Sequence, residues 1–430
     1  MPKSSRASTM MQRLRKILRM ENAGLLSASV GIQIVGYAIS LALTPLAIAF
    51  YTPAEFGKLA VVLYVANFVG GYGGLRLEWA VINEHSRRIA DLLMRFAATL
   101  LLLWGAALFA VALLAPSELY NLLAIERGQA MMAAPIAVAI GLGIFQQSWG
   151  IREQAYRDVY LSRNVVMVSR QVLQIAFGMI LPSVLMLLVT ELAARVLGIL
   201  VIVRRLGKPL EVLPLGRFVK QAKAALLRRY GHYTKVALPS SIVDFAQSES
   251  LPVILLLTHG PEVGGAFWLV QRIFGLPVAL IGTVVGDVFQ GQMARQRDRS
   301  VIVKQLSQTA ALLTLFAIVL LPAVAVAFWF LTQNLYNGTW ALSGEIGLYL
   351  VPAICLQFIA SPLSRSLIVL KCMQYKYVFD GALFLALASW LAATQVFGLS
   401  LMQSMIFLSI AQSIAYSIYI FLSFYVAKLK

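Results

Sequence analysis

The chain has 430 residues, 60% of them hydrophobic and only 13% charged, with a mean hydropathy of +0.80. Soluble domains carry about 25% charged residues, so this composition excludes a soluble globular protein and calls for a polytopic membrane protein. The net charge of +18 does not signal nucleic acid, because the basic residues fall in separate short loops with no continuous patch for phosphates to track.

About 20 apolar residues cross a bilayer as a helix, and only helices or closed barrels satisfy the backbone there. Residues 1–23 form a basic cytoplasmic N-terminal segment. The apolar run behind it extends from about Gly24 to Phe50, too long for a cleavable signal and read as a retained first span. Twelve spans are predicted: 24–49, 58–82, 92–115, 129–149, 163–182, 184–203, 236–257, 264–289, 306–332, 345–370, 378–397 and 402–426, with 163–203 divided at Pro182. The expected fold class is therefore all-α, about 12 transmembrane helices in two six-helix lobes, an N-lobe at 24–203 and a C-lobe at 236–430. Residues 204–235, basic and amphipathic, are predicted to link the lobes along an anionic cytoplasmic leaflet.

The distribution of Lys and Arg tests that division, since a missed span would scramble their alternation among loops. One side holds 29 basic residues, from six in 1–23 and nine in 204–235 to two at the C-terminus. The other side holds only Lys58 and Arg127. Both termini are thus expected to be cytoplasmic. The lobes also echo one another: YTPAEFGKLAVV follows the first span and HGPEVGGAFWLV the seventh, so that Pro53 and Gly57 correspond to Pro261 and Gly265 at an offset of 208. At matching places in a six-plus-six layout, this fits the internal repeats of many transporters.

Catalytic motifs are scarce. The three histidines, His85, His232 and His259, lie near predicted loops, and Cys355 and Cys372 have no metal-ligand spacing. No HExxH, GxSxG, Walker loop or Cys-x-x-Cys occurs, so neither an enzyme nor a metal or other cofactor is expected. What remains is charge inside the spans: Arg76, Arg170, Arg195, Arg272 and Arg365, with Glu78, Glu191, Asp244, Glu249 and Asp287 embedded or near span ends. Such residues face a cavity, pair with one another, or mark a substrate or ion path.

Glu191 and Arg195, four apart in TELAAR, are predicted to form an internal ion pair. Arg76 and Arg365 lie about 8–9 Å from cytoplasmic span ends, within snorkelling reach. Arg170 and Arg272 lie deeper, Arg272 about 12 Å from the nearest predicted end. Either they contact an anionic ligand or they pair with Asp244 or Glu249 of the seventh span. That span, VALPSSIVDFAQSESLPVILLL, is polar and interrupted by Pro239 and Pro252, and is expected to line a wet cavity. Asp244 and Ser248 share a face, whereas Glu249 points about 140° from Asp244; Asp244, Glu249 and Ser248 are candidate coupling or cavity residues. Trp79, Trp149, Trp268 and Trp340 are expected to anchor at the membrane interfaces.

FYTPAEFGKLAVVLYV followed by LRLEWAVI, and ALPSSIVDFAQSESLPVILLL followed by FWLVQRIFGLPVALIGTVVGDVF, resemble the polysaccharide-transport flippases, which include the O-antigen flippases, within the multidrug/oligosaccharidyl-lipid/polysaccharide exporter superfamily. The resemblance covers nearly the whole chain. It implies a V-shaped pair of lobes around a central cationic cavity in the bacterial inner membrane, opening alternately to cytoplasm and periplasm. The implied cargo is an undecaprenyl-diphosphate-linked oligosaccharide, an O-antigen or exopolysaccharide repeat unit, and the implied partners are anionic membrane lipids and polysaccharide-biosynthesis proteins. Arg272 is then the first choice for contact with the diphosphate head group, followed by Arg76, Arg170 and Arg365. Asp244 and Glu249 depart from the pattern by making the seventh span acidic.

Three other readings compete. A cation-coupled multidrug extruder of the same superfamily has twelve spans, but the first span here carries no acidic residue. Peptidoglycan-precursor flippases usually have two further spans. A membrane-embedded glycosyltransferase or polymerase would need a large external loop bearing acids or histidine.

Overall fold

The structure, a computed structural model, describes residues 23–209, 211–213, 230–231, 233–293, 299–364, 366–367, 370, 372 and 374–429. Among them every regular element is helical. In chain order these are α1 (Ala23–Ile48), α2 (Pro53–Tyr72), α3 (Leu77–Asn83), α4 (Arg87–Leu114), α5 (Ser117–Leu122), α6 (Arg127–Met131), α7 (Ala133–Arg152), α8 (Tyr156–Ile180) and α9 (Val184–Leu206). After the basic linker come α10 (Leu238–Glu249), α11 (Leu251–His259), α12 (Pro261–Met293), α13 (Arg299–Asn334), α14 (Ala341–Leu363), α15 (Gln374–Phe397) and α16 (Leu401–Leu429).

Local chemistry sets several of these boundaries. Thr52, Pro53 and Glu55 begin α2 with a capping box: the Thr52 amide donates to Glu55 Oε2 at 2.8 Å, and the Glu55 amide to Thr52 Oγ1 at 3.4 Å. The break at Pro182 falls between α8 and α9, where Ser183 Oγ caps α9 by accepting from the Met186 amide at 3.3 Å. Gly207, at φ +59°, closes α9 in the left-handed conformation that only glycine adopts without strain.

Nine helices among the described residues are long and apolar enough to cross a membrane, and α10 with α11, bent by 44° at Ser250, is together long and apolar enough for a broken span or a re-entrant loop. Two more predicted spans correspond to α8, 25 residues, and α12, 33 residues. Asn164, Arg170, Gln171 and Gln174 make α8 a more polar helix than those nine. The chain is a multi-pass, all-α membrane protein. One correction concerns the predicted span 58–82, which is not one helix: it breaks between Tyr72 and Leu77, with Leu75 and Arg76 both at positive φ.

The chain divides into two compact units. The first comprises 1–50, 65–116 and 126–240. In it α8 packs along α9 and α1, and α7 along α4 and α9. Its core gathers Leu77, Leu93, Phe96, Leu101, Phe145 and Trp149. Polar residues join α1 to α8: Gln171 Nε2 donates to Thr44 Oγ1 at 2.8 Å and to the Ser40 carbonyl at 3.1 Å, and Asn164 Nδ2 donates to the Ile32 carbonyl. Gln171, Ser40 and Thr44 are buried, and such bonds satisfy groups whose burial unpaired would cost several kcal/mol each.

The second unit comprises 51–64, 117–125 and 241–430, so the opening turns of α2 belong to it. Here α14 packs on α12, α13 and α16, and α16 also on α15. The paired sequences around Pro53 and Pro261 meet in this unit. A Cβ on Gly57 would run into the Pro261 carbonyl, and a Cβ on Gly265 into the Pro53 carbonyl. The two glycines thus play reciprocal parts in one close backbone crossing between α2 and α12. Phe56 packs beside it against Trp268 and Trp340, with ring centroids 5.0 and 5.5 Å away. Trp340 is fully buried and Trp149 nearly so, which corrects the expectation that both anchor at an interface.

Candidate functional site

Arg76 occupies the break between α2 and α3. Its backbone is left-handed, at φ +60°, a conformation costing a non-glycine residue about 1–2 kcal/mol. The side chain is held on three sides: Nη1 bonds Glu78 Oε1 at 3.0 Å, and the guanidinium lies 4.8 Å from the ring centroids of both Tyr72 and Trp79. Glu78 is buried. Arg76 is thus clamped by protein groups rather than extended along a continuous helix toward the membrane surface, which its place in the sequence had suggested.

Arg170 and Arg195 meet on one carboxylate. Glu191, 1% exposed, receives Arg195 Nη2 on Oε1 at 2.6 Å and Arg170 Nη1 on Oε2 at 3.3 Å. The first contact is the i,i+4 pair that TELAAR suggested; the second crosses from α8. Sequence reasoning left Arg170 either to an anionic ligand or to Asp244 or Glu249; of these the carboxylate partner is corrected, for the one it meets is Glu191 on the adjoining α9. Two cations and one anion leave this cluster at +1. Arg170 is ten residues from the end of α8 and Arg195 eleven from either end of α9, about 15–16 Å of helix in each case, beyond the reach of snorkelling.

The second unit contains a cluster of opposite sign. Asp244 on α10 receives Lys376 Nζ at 2.6 Å, and the same ammonium lies 2.9 Å from Asp380 Oδ2 one turn along α15. Gln247 Nε2, also on α10, donates to the Asp380 carbonyl at 2.7 Å and fixes the two helices together. One cation and two anions leave −1. Asp244 is nearly half exposed, whereas the Asp380 side chain is only 12% exposed, so the cluster is open at its α10 end. Ser248 bonds back to the Asp244 carbonyl at 2.9 Å, and Gln271 Nε2 reaches the Ser248 carbonyl at 3.3 Å. Glu249, on a different side of α10, stands at the bend before Ser250, in electrostatic range of Tyr64 and with no salt bridge among the described residues.

Sequence reasoning missed Lys376 and Asp380. Lys376 was counted with the cytoplasmic loop basics and Asp380 was overlooked at a span start; their i,i+4 spacing in QYKYVFDGAL was the available signal. Arg272, the first-choice ligand contact, stacks over Trp268 with 5.0 Å from guanidinium to ring centroid. Arg365 lies outside the described residues, as does His232. No group of three or more metal-ligating side chains occurs among the described residues.

The chain matches no known family profile and no curated protein. Solved structures do resemble it. The lipid II flippase MurJ in an inward closed conformation superposes with a TM-score of 0.70 at 14% identity, covering 93% of this chain and 87% of that one. A multidrug resistance MATE transporter of the MOP superfamily in its inward-facing conformation gives 0.57 at 15% identity, over 93% of this chain and 96% of that one. A MOP-superfamily transporter from Pyrococcus furiosus gives 0.51 at 15% identity, over 94% and 95%. At these identities the likeness speaks for the fold alone, one that this chain shares with these flippase and transporter structures.

Proposed function

We propose that this protein is a flippase that moves an undecaprenyl-diphosphate-linked oligosaccharide, an O-antigen or exopolysaccharide repeat unit, from the cytoplasmic to the periplasmic leaflet of a bacterial inner membrane by alternating access. The observation that carries this reading is the likeness to the lipid II flippase over 93% of the chain, which fits a lipid-linked cargo better than a dissolved one. The embedded arginines support it, because a diphosphate crossing the hydrocarbon region needs donors there and guanidinium forks bind phosphate bidentately. Arg170, Arg272, Arg76 and Arg365 are the proposed head-group contacts. The lobes are taken as 24–203 and 236–430, joined by 204–235, with both termini cytoplasmic. The −1 cluster of Asp244, Lys376 and Asp380, with Ser248 and Glu249 nearby, is the proposed coupling centre, where a proton or monovalent cation would balance the charge.

The test is translocation in reconstituted vesicles. Purified protein should expose lipid-linked oligosaccharide to an enzyme confined to the opposite leaflet, and deletion in a source bacterium should deplete surface polysaccharide while the lipid-linked intermediate accumulates inside. The second reading, a cation-coupled multidrug exporter, draws on the MATE likeness and the acidic cluster. Ion-driven dye efflux without glycolipid translocation would decide in its favour.

A further inference from the structure

The Arg170–Glu191–Arg195 cluster has features that a purely structural ion pair does not require. Its carboxylate is sealed at 1% exposure, whereas the two arginine side chains are only partly buried, at 21% and 20% exposure. The Nε of each arginine is buried and has no acceptor among the described residues. Neither arginine has a second carboxylate at ion-pair distance among them. Both arginines lie near the middle of their helices, 10 and 11 residues from the nearer end.

The two contacts also differ in kind. Arg195 Nη2 lies 2.6 Å from Glu191 Oε1 as an ion contact within one turn of the same helix, whereas Arg170 Nη1 donates a long hydrogen bond of 3.3 Å to Oε2 from another helix. We propose that the cluster is a mid-membrane oxyanion site in which Glu191 is a resident competitor. An entering phosphate takes Arg170 from the carboxylate, receiving parallel N–H donors from its planar fork, while Arg195 stays on Glu191. When the anion leaves, Glu191 takes Arg170 back, so the guanidinium is never left bare in a low dielectric. The exchange limits how tightly the anion is held, which a transporter must do to release it. This deepens the flippase reading, on which it rests, by naming the group that the diphosphate must displace.

The test uses purified full-length protein in detergent, with farnesyl diphosphate and inorganic pyrophosphate as probes and farnesol as control. Farnesyl diphosphate should bind saturably and farnesol should not. R170Q and R195Q should each weaken binding about tenfold or more, the size of a lost charge-assisted bond, and E191Q should strengthen it. R170Q reduces the cluster to a neutral i,i+4 pair, so it should lose binding while its melting temperature holds or rises; this readout does not depend on E191Q folding. Pyrophosphate binding as tightly as farnesyl diphosphate would assign the site to the oxyanion alone, and weaker binding would assign it to a lipid head group. Unchanged diphosphate affinity in R170Q, or lowered melting with affinity intact, overturns the proposal. Glycolipid translocation at full rate by R170Q and R195Q would refute the cluster's role and leave the flippase reading standing. Diphosphate binding without any glycolipid translocation would do the reverse.

Discussion

The reciprocal crossing of α2 and α12 makes a prediction that the structure quantifies. In Gly57→Ala the new methyl would lie 2.9 Å from the Pro261 carbonyl carbon and 3.1 Å from the Gly265 nitrogen. In Gly265→Ala it would lie 2.6 Å from the Pro53 carbonyl carbon and 2.7 Å from the Gly57 nitrogen. An ordinary Cβ contact is 3.4–4 Å, and every neighbour here is backbone, so side-chain rotation offers no relief. The proline carbonyl oxygens would lie closer still, so the helices must part by more than about 1 Å, and overpacking of this kind costs about 1–3 kcal/mol or more. Backbone neighbours put both variants toward the upper end, with Gly265→Ala the worse. The double variant should cost less than the two singles together, because parting the helices for one methyl makes room for the other. Gly275→Ala, on α12 with nothing within 4 Å, is the control; removing a mid-helix glycine there should stabilise by about 0.5–1 kcal/mol. Thermal unfolding of detergent-purified protein, followed by the fluorescence of Trp268 and Trp340 beside the crossing, reads all four. Singles that melt with the control, or strict additivity in the double, would refute the reciprocal packing.

Lys376→Met leaves Asp244 and Asp380 facing one another without a cation. It should destabilise by about 2–3 kcal/mol, between the values for exposed and buried pairs because Asp244 is half open, and K376M/D380N should recover most of the melting temperature. Gln171→Leu strips the donor from Thr44 and the Ser40 carbonyl between α1 and α8; a loss of about 1–3 kcal/mol should appear in thermal unfolding. Thr52→Val removes the α2 capping box and should cost about 1 kcal/mol by the same measurement.

The span pattern was legible because bilayer thickness imposes a length and hydropathy on each helix that composition alone reveals. The division at Pro182 was legible too, since a proline followed by a capping serine ends one helix and begins another. The break at Arg76 was not. Nothing in YGGLRLEW requires Leu75 and Arg76 to turn left-handed; Gly73 and Gly74 hinted at a bend, but the strain is held by Glu78, Tyr72 and Trp79 together. The offset of 208 marked the two segments as matching, whereas their meeting, and the contact of each glycine with the other's proline carbonyl, needed coordinates. The partner of Arg170 was missed for a similar reason: periodicity places residues on one face of their own helix, and Glu191 reaches Arg170 only because α8 and α9 pack side by side.

A sequence count of five embedded arginines against five embedded acids reads as electrical balance, and balance argues against an anion path. The structure shows why the count misleads. A count carries no geometry, and direct hydrogen-bonded pairing, which needs contact, is read cluster by cluster. Taken cluster by cluster, the first unit has two guanidiniums on Glu191 and a surplus of +1, while the second has Asp244 and Asp380 on Lys376 and a deficit of −1.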